Sequence, residues 1–172
     1  MLDLLVLSLA GCRATAQPAT PPPPRVRTVP CEEVIDHVRF PYAGGGPFRP
    51  RQVLAAASVP GRFVPQTTPT ESKPWTYFAK WGMVVRGGAG PPVTVTVPLA
   101  WRTRVAISWG NAQHAVFHTL RFPRCGADGA QGNAYAGGFF IRREFDCVPL
   151  RYRVGARSKT LWFGVGGRCP AR

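Results

Sequence analysis

A cysteine at position 12 closes an apolar segment at the start of the chain. The segment runs from Leu4 to Ala10, and it ends Leu9-Ala10-Gly11-Cys12. An apolar run of this length that ends in small residues is typical of an export signal, because a membrane span needs about 20 apolar residues. A cysteine directly after the small residues is typical of a lipoprotein signal, in which the thiol takes a diacylglyceryl group and the chain is cut before it.

This pattern predicts a signal peptide at residues 1–11 and lipid attachment at Cys12, with the protein held at the outer face of the cell membrane. Secretion after ordinary cleavage is the alternative. A signal peptide normally opens with Lys or Arg, whereas this sequence opens Met1-Leu2-Asp3. Either the true start lies upstream of Met1, so that the signal is truncated here, or the match arises by chance.

Four further cysteines, Cys31, Cys125, Cys147 and Cys169, follow in the rest of the chain. An even number in an exported protein predicts two disulfides. Of the three possible connectivities we favour Cys31–Cys169, which would join the two ends of the domain, together with Cys125–Cys147. Zinc is the competing use, but structural zinc sites usually draw ligands from close pairs, and the sequence contains no Cys-x-x-Cys.

The histidines and carboxylates indicate a functional site less specifically than the cysteines do. His114 and His118 would lie about 13 Å apart on one face of a strand, so we expect no metal site. Glu32, Glu33 and Asp36 could supply the acid and base of an envelope hydrolase, although ion pairs with arginine are the plainer interpretation. Because no nucleophile, zinc-protease or phosphate-loop motif is present, we predict no catalytic residue and no cofactor.

Most of the tryptophan and tyrosine side chains fall on faces predicted to be buried. Trp75 follows Pro74 in a predicted loop, and Trp162 points away from the apolar side chains of its neighbours Leu161 and Phe163. Trp75 and Trp162 are therefore the candidates for an exposed aromatic binding patch.

The charge of the chain is strongly basic, with 22 basic and 8 acidic residues and a formal net charge of +14. All of the basic residues except Lys73, Lys80 and Lys159 are arginine, and the arginines are scattered rather than grouped in a run. An exported protein meets little nucleic acid, so we expect no nucleic-acid partner. The expected partners are the membrane, through the anchor, and anionic envelope polymers or another envelope protein. A solvated basic surface that aids solubility is the simpler alternative.

Two regions follow the predicted signal. Residues 12–30 are predicted to be an extended tether, because Pro21 to Pro24 lack N–H donors and favour polyproline II. Residues 31–172 are predicted to form one domain. Within it, Tyr77 to Val85 is predicted to be a strand, and Gln52 to Ser58 is the one candidate for a short helix.

Apolar and polar residues alternate with a period of two in several segments of this domain. The clearest are Val93-Thr94-Val95-Thr96-Val97, Leu150-Arg151-Tyr152-Arg153-Val154 and Thr160-Leu161-Trp162-Phe163-Gly164-Val165. Glycine- and proline-rich turns separate nine or so such strands. The pattern favours an all-β fold, and an immunoglobulin-like antiparallel β-sandwich is our first choice.

Four short motifs in the second half resemble a family of uncharacterised actinobacterial exported proteins and lipoproteins. They are Arg124-Cys125-Gly126, Asn133-Ala134-Tyr135-Ala136-Gly137-Gly138-Phe139-Phe140-Ile141, Cys147-Val148-Pro149-Leu150 and Gly164-Val165-Gly166-Gly167-Arg168-Cys169-Pro170. The resemblance covers most of residues 31–170. It implies an envelope-exposed, disulfide-bonded domain, and it brings no activity, cofactor or catalytic residue.

The predicted tether, the basic charge and the missing catalytic motifs together predict a non-catalytic binding module at the cell envelope.

The lipid anchor is directly testable. Replacing Cys12 with Ala removes the thiol that would carry the lipid, so we expect the protein to move from the membrane fraction to the medium or to remain unprocessed. Fractionation with and without detergent measures this. Unchanged, detergent-dependent retention of the variant would contradict lipid attachment at Cys12.

Overall fold

The computed structural model describes residues 26–42, 49–111, 115–126 and 128–170. Cys12 and His114 therefore lie outside the described residues. Within those ranges, fourteen β-strands and two 3₁₀ turns, Cys31–Glu33 and Leu99–Trp101, build the fold. None of the helical turns in these ranges is long and apolar enough to cross a membrane. The strands are β1 (Val26–Thr28), β2 (Asp36–Arg39), β3 (Pro50–Val53), β4 (Ala57–Pro60), β5 (Thr67–Pro69), β6 (Tyr77–Lys80), β7 (Met83–Arg86), β8 (Val93–Thr96), β9 (Val105–Trp109), β10 (Thr119–Phe122), β11 (Gln131–Tyr135), β12 (Gly137–Ile141), β13 (Asp146–Val154) and β14 (Arg157–Val165).

The strands form three sheets. Sheet A has the order β1-β10-β8-β13-β14, sheet B has β2-β11-β7-β4-β3, and sheet C has β5-β6-β12-β9. Every pairing between these strands is antiparallel except that of β1 with β10. The predicted class, an all-β antiparallel sandwich with two disulfides, is confirmed.

One apolar core joins the three sheets. The alternating strands bury the predicted side: Val93 and Val95 of β8 are fully buried, as is Leu150 of β13. Burying apolar surface is the main favourable term in folding, and the strands of sheet A leave their other side in water. The aromatic rings of Trp81, Phe139 and Phe163 pack against one another within this core.

The segment from Tyr77 to Val85 does not form one strand. It bends at Trp81 and Gly82, so that β6 belongs to sheet C and β7 to sheet B. Its pairing partner bends in the same way at Ala136, between β11 and β12. Alternation of side chains continues through the bend, which is why the sequence pattern alone predicts a straight strand.

The segment from Gln52 to Ser58 is a hairpin and not a helix. Its tip contains Leu54 and Ala55 with positive φ values of 52° and 53°, a conformation that a right-handed helix excludes. Strand β4 is paired with β3 on one side and with the distant β7 on the other. This non-local pairing overrides the local preference for a helical turn.

Residues 26–30 were predicted to belong to the tether, but they are part of the domain. Val26 to Thr28 form β1, which pairs with β10, and Val29 is fully buried in the core. A buried valine and a row of backbone hydrogen bonds bring residues 26–30 into the domain. Only residues 12–25 of the predicted tether remain outside the described residues.

The predicted use of four cysteines in two disulfides is confirmed, but the favoured pairing is wrong. The bonds are Cys31–Cys125 and Cys147–Cys169. Cys31 follows β1 and Cys125 follows β10, and the parallel pairing of these two strands places both cysteines at the same end. In the second bond, β13 runs beside β14 and the chain folds back after Gly166, which brings Cys169 next to Cys147.

The two disulfides close loops of different length, with sequence separations of 94 for Cys31–Cys125 and 22 for Cys147–Cys169. Loop-closure entropy predicts losses in the free energy of unfolding of about 4.5 kcal/mol for Cys31→Ser/Cys125→Ser and about 3.5 kcal/mol for Cys147→Ser/Cys169→Ser. Urea denaturation of the two double variants measures both losses. A larger loss in the Cys147/Cys169 variant would contradict this ordering.

Candidate functional site

The outer side of sheet A carries alternating arginine and hydroxyl side chains. The strand register places Arg153 beside Thr94, which in turn lies beside Arg121. In the next row, Arg151 lies beside Thr96. All three arginines are exposed. We call this surface the arginine face; it consists of Thr28, Thr94, Thr96, Thr119, Arg121, Arg151, Arg153, Ser158 and Thr160.

The positive charge of the arginine face is not compensated. The two ion pairs among the described residues, Arg27–Glu33 and Arg104–Asp146, both lie elsewhere. Arg151 donates a hydrogen bond to the Ser158 hydroxyl at 3.2 Å, which orients its guanidinium without neutralising it. The face therefore presents three cations and a set of hydroxyl donors to solvent.

The spacing of these cations is set by the sheet. Arg151 and Arg153 are two residues apart on β13, which corresponds to about 6.8 Å along the strand. Arg121 and Arg153 are separated by one intervening strand, or about 10 Å across the sheet. Such a flat array matches an extended ligand with repeated negative charges better than a single small anion.

At one end of sheet A the basic surface continues around a glycine-rich loop, residues 87–90. Two grooves of about 580 and 370 Å³ flank this loop, and Arg124 lines both. Burial and the neighbouring Arg86 lower the pKa of Arg124. Arg121 lines the smaller groove, so the loop region is continuous with the arginine face. An anion bound there would relieve the repulsion between Arg86 and Arg124.

The predicted exposed aromatic patch is not formed. Trp75 is only 4% exposed and packs with Ala106 and Phe140 on the outer side of sheet C. The loop that carries it folds onto the sheet, since the Thr76 amide donates to the Ile141 carbonyl at 3.1 Å. The prediction that Trp75 is exposed was wrong because this sheet has apolar side chains on both sides.

Trp162 does point away from the core, as predicted. It is half-buried, and its ring meets the edge of Trp101 at 5.6 Å between centroids. The Arg104 guanidinium lies 4.4 Å from the centroid of Trp101, a cation–π geometry. Trp162 and Trp75 thus lie on different sheets and do not form one patch.

The predicted carboxylate cluster is divided. Glu33 forms an ion pair with Arg27 and accepts a hydrogen bond from the Asn111 amide at 2.9 Å. Glu32 and Asp36 are exposed. Glu33 therefore connects the 3₁₀ turn after β1 to the end of β9, and both of its oxygens already have partners.

No metal site emerges among the described residues, which contain no group of three or more His, Cys, Asp or Glu side chains placed to hold an ion. His118 is buried at the start of β10. His114, the other histidine of this pair, lies outside the described residues.

Comparisons with protein-family models, with curated proteins and with solved structures found no match to this chain. The candidate sites are the basic surfaces. On the arginine face, Arg151 and Arg153 alternate with buried residues of β13, and Arg121 lies between the buried Leu120 and Phe122, so all three carry a sequence signal. The convergence of Arg86 and Arg124 has no local signal, because 38 positions separate them.

The structure predicts different consequences for two adjacent glutamates. Glu33→Ala removes an ion pair and a charge-assisted hydrogen bond, so we expect it to lower the free energy of unfolding by about 2 kcal/mol. Glu32→Ala alters an exposed side chain and should change the free energy of unfolding by less than about 0.5 kcal/mol. Urea denaturation measures both. Equal stability of the two variants would show that Glu33 has no structural role.

Proposed function

We propose that this chain is a non-catalytic binding module of the cell envelope, and that its arginine face binds an anionic polymer. The observation that carries the proposal is the set of three outward guanidiniums, Arg121, Arg151 and Arg153, without an ion-pair partner among the described residues. Guanidinium presents planar N–H donors that suit carboxylate and phosphate oxygens.

The shape of the surface supports a polymer over a small ligand. Each exposed ion pair contributes little by itself. On a polymer, however, the first contact holds the next anion close to the next arginine, so that weak contacts reinforce one another. Hydroxyl groups of Thr94, Thr96 and Thr119 lie between the cations and can bond to polar, uncharged parts of the chain.

The expected location fits this ligand class. Two disulfides favour an oxidising compartment. A lipid at Cys12 and a proline-rich tether over residues 12–25 would hold the domain within roughly 45 Å of the membrane, at about 3.1 Å per residue. A domain held there would be within reach of an anionic envelope polymer. Another envelope protein with an acidic surface is the alternative partner.

A charge-matched pair of triple variants tests the proposal. Arg121→Gln/Arg151→Gln/Arg153→Gln removes the arginine face, whereas Arg39→Gln/Arg49→Gln/Arg143→Gln removes three exposed arginines elsewhere. Polyphosphate and polygalacturonate, immobilised on a sensor surface, provide phosphate and carboxylate probes. At about 0.15 M salt we expect the first variant to weaken binding about tenfold, which corresponds to about 0.5 kcal/mol per lost contact.

The control variant should change the affinity less than about threefold, because distant charges are screened at this ionic strength. Equal losses in both variants would mean that net charge alone attracts the polymer. No binding of the unaltered protein to either polymer at low salt would overturn the proposal.

A further inference from the structure

A second cleft opens between the edge of sheet A and the edge of sheet B. It lies between β14 and the end of the β3–β4 hairpin, and its volume is about 530 Å³. This volume is within the range of sites that hold small organic ligands. We call it the aromatic cleft; its principal lining residues are Arg51, Arg62, Phe63, Trp81, Trp162 and Arg168.

The inner part of the aromatic cleft is apolar. The ring of Trp81 lies 5.5 Å from that of Phe63 and 5.3 Å from that of Phe163, between centroids. Trp81 is only 3% exposed, and none of the described residues provides a hydrogen-bond acceptor for its buried indole Nε1. Buried indole N–H groups usually have an acceptor. Within the ranges that the structure describes, this buried N–H therefore lacks its usual partner.

The rim of the cleft is basic. Arg51, Arg62 and Arg168 are exposed around it, and none of them forms an ion pair among the described residues. None of the described residues contributes a carboxylate side chain to the lining of the cleft. Arg62 is held at the rim by an unusual backbone conformation, with a positive φ of 60°.

We propose that the aromatic cleft binds a monomeric amphipathic anion, in which an acyl or aromatic body carries one carboxylate or phosphate head. The body would lie against the apolar lining of the cleft, which includes Phe63, Trp81 and Trp162. The head would remain at the rim, where guanidinium groups bind oxyanions. This site shares no residue with the arginine face, so it does not depend on the polymer-binding proposal.

Decanoate and decanol are matched probes because they share a chain and differ in the head. Isothermal titration calorimetry on the full chain should show saturable, single-site binding of decanoate and at least about tenfold weaker binding of decanol. Quenching of tryptophan fluorescence by 2-bromodecanoate, in competition with decanoate, reports whether the ligand lies against the cleft tryptophans.

Arg62→Asn/Arg168→Gln removes two of the rim cations, and asparagine is chosen at position 62 because it tolerates a positive φ. We expect this variant to weaken decanoate binding about tenfold. Arg39→Gln/Arg143→Gln removes the same charge elsewhere and should leave the affinity for decanoate unchanged. Thermal unfolding of both variants confirms that they are folded, and the arginine-face variant should bind decanoate normally.

Vesicles of phosphatidylcholine with phosphatidylglycerol distinguish a free amphiphile from a membrane lipid. The proposal predicts that vesicle binding is the same in the Arg62/Arg168 variant and its charge-matched control. The proposal is overturned if decanoate does not bind saturably, or if the two charge-matched variants lose affinity for decanoate equally. If decanoate does not bind and the cleft variant loses affinity for vesicles, the cleft would be a site for membrane lipid instead.

Discussion

The sandwich depends on a corner at which two paired strands bend together from sheet C into sheet B. The Trp109 indole donates a hydrogen bond to the Trp81 carbonyl at 2.8 Å, and the Trp81 amide donates to the Gly137 carbonyl at 2.7 Å. At Gly137 and Gly138, a Cβ would collide with the backbone of the neighbouring strands, so only glycine permits this approach. Because β6, β7, β11 and β12 all meet here, the corner aligns both sheets around the Trp81 ring.

Local pattern was enough to predict the class of fold, and it also indicates which side chains of β13 point outward. Along β13, the alternation of Leu150, Tyr152 and Val154 with arginines identifies the buried side, and the same alternation sends Arg151 and Arg153 to solvent. A period of two is a property of each strand alone. The pattern can therefore be recognised without knowing which strands are neighbours.

What the sequence could not predict depends on pairing between distant segments. The hairpin at Leu54, the course of residues 26–30 and the partners of the cysteines all follow from which strands lie side by side. The same limit applies to the basic clefts. Arg124 reaches the Arg86 carbonyl, and Arg168 shares the aromatic cleft with Arg62, although no local motif connects either pair. The prediction that Trp75 is exposed was wrong because its loop covers a second apolar surface.

The bond between Cys31 and Cys125 also has a mechanical consequence. If the domain is anchored through its N-terminus, any tension from the envelope enters the fold at β1, a strand of three residues. That strand can be pulled away from β10, but the covalent link at Cys31 lies directly behind it. The load then passes through the disulfide to the end of β10, whose remaining neighbour in sheet A is β8. In an N-terminally anchored domain, this bond would therefore transfer a pull from residue 31 to residue 125 without stretching the chain between them.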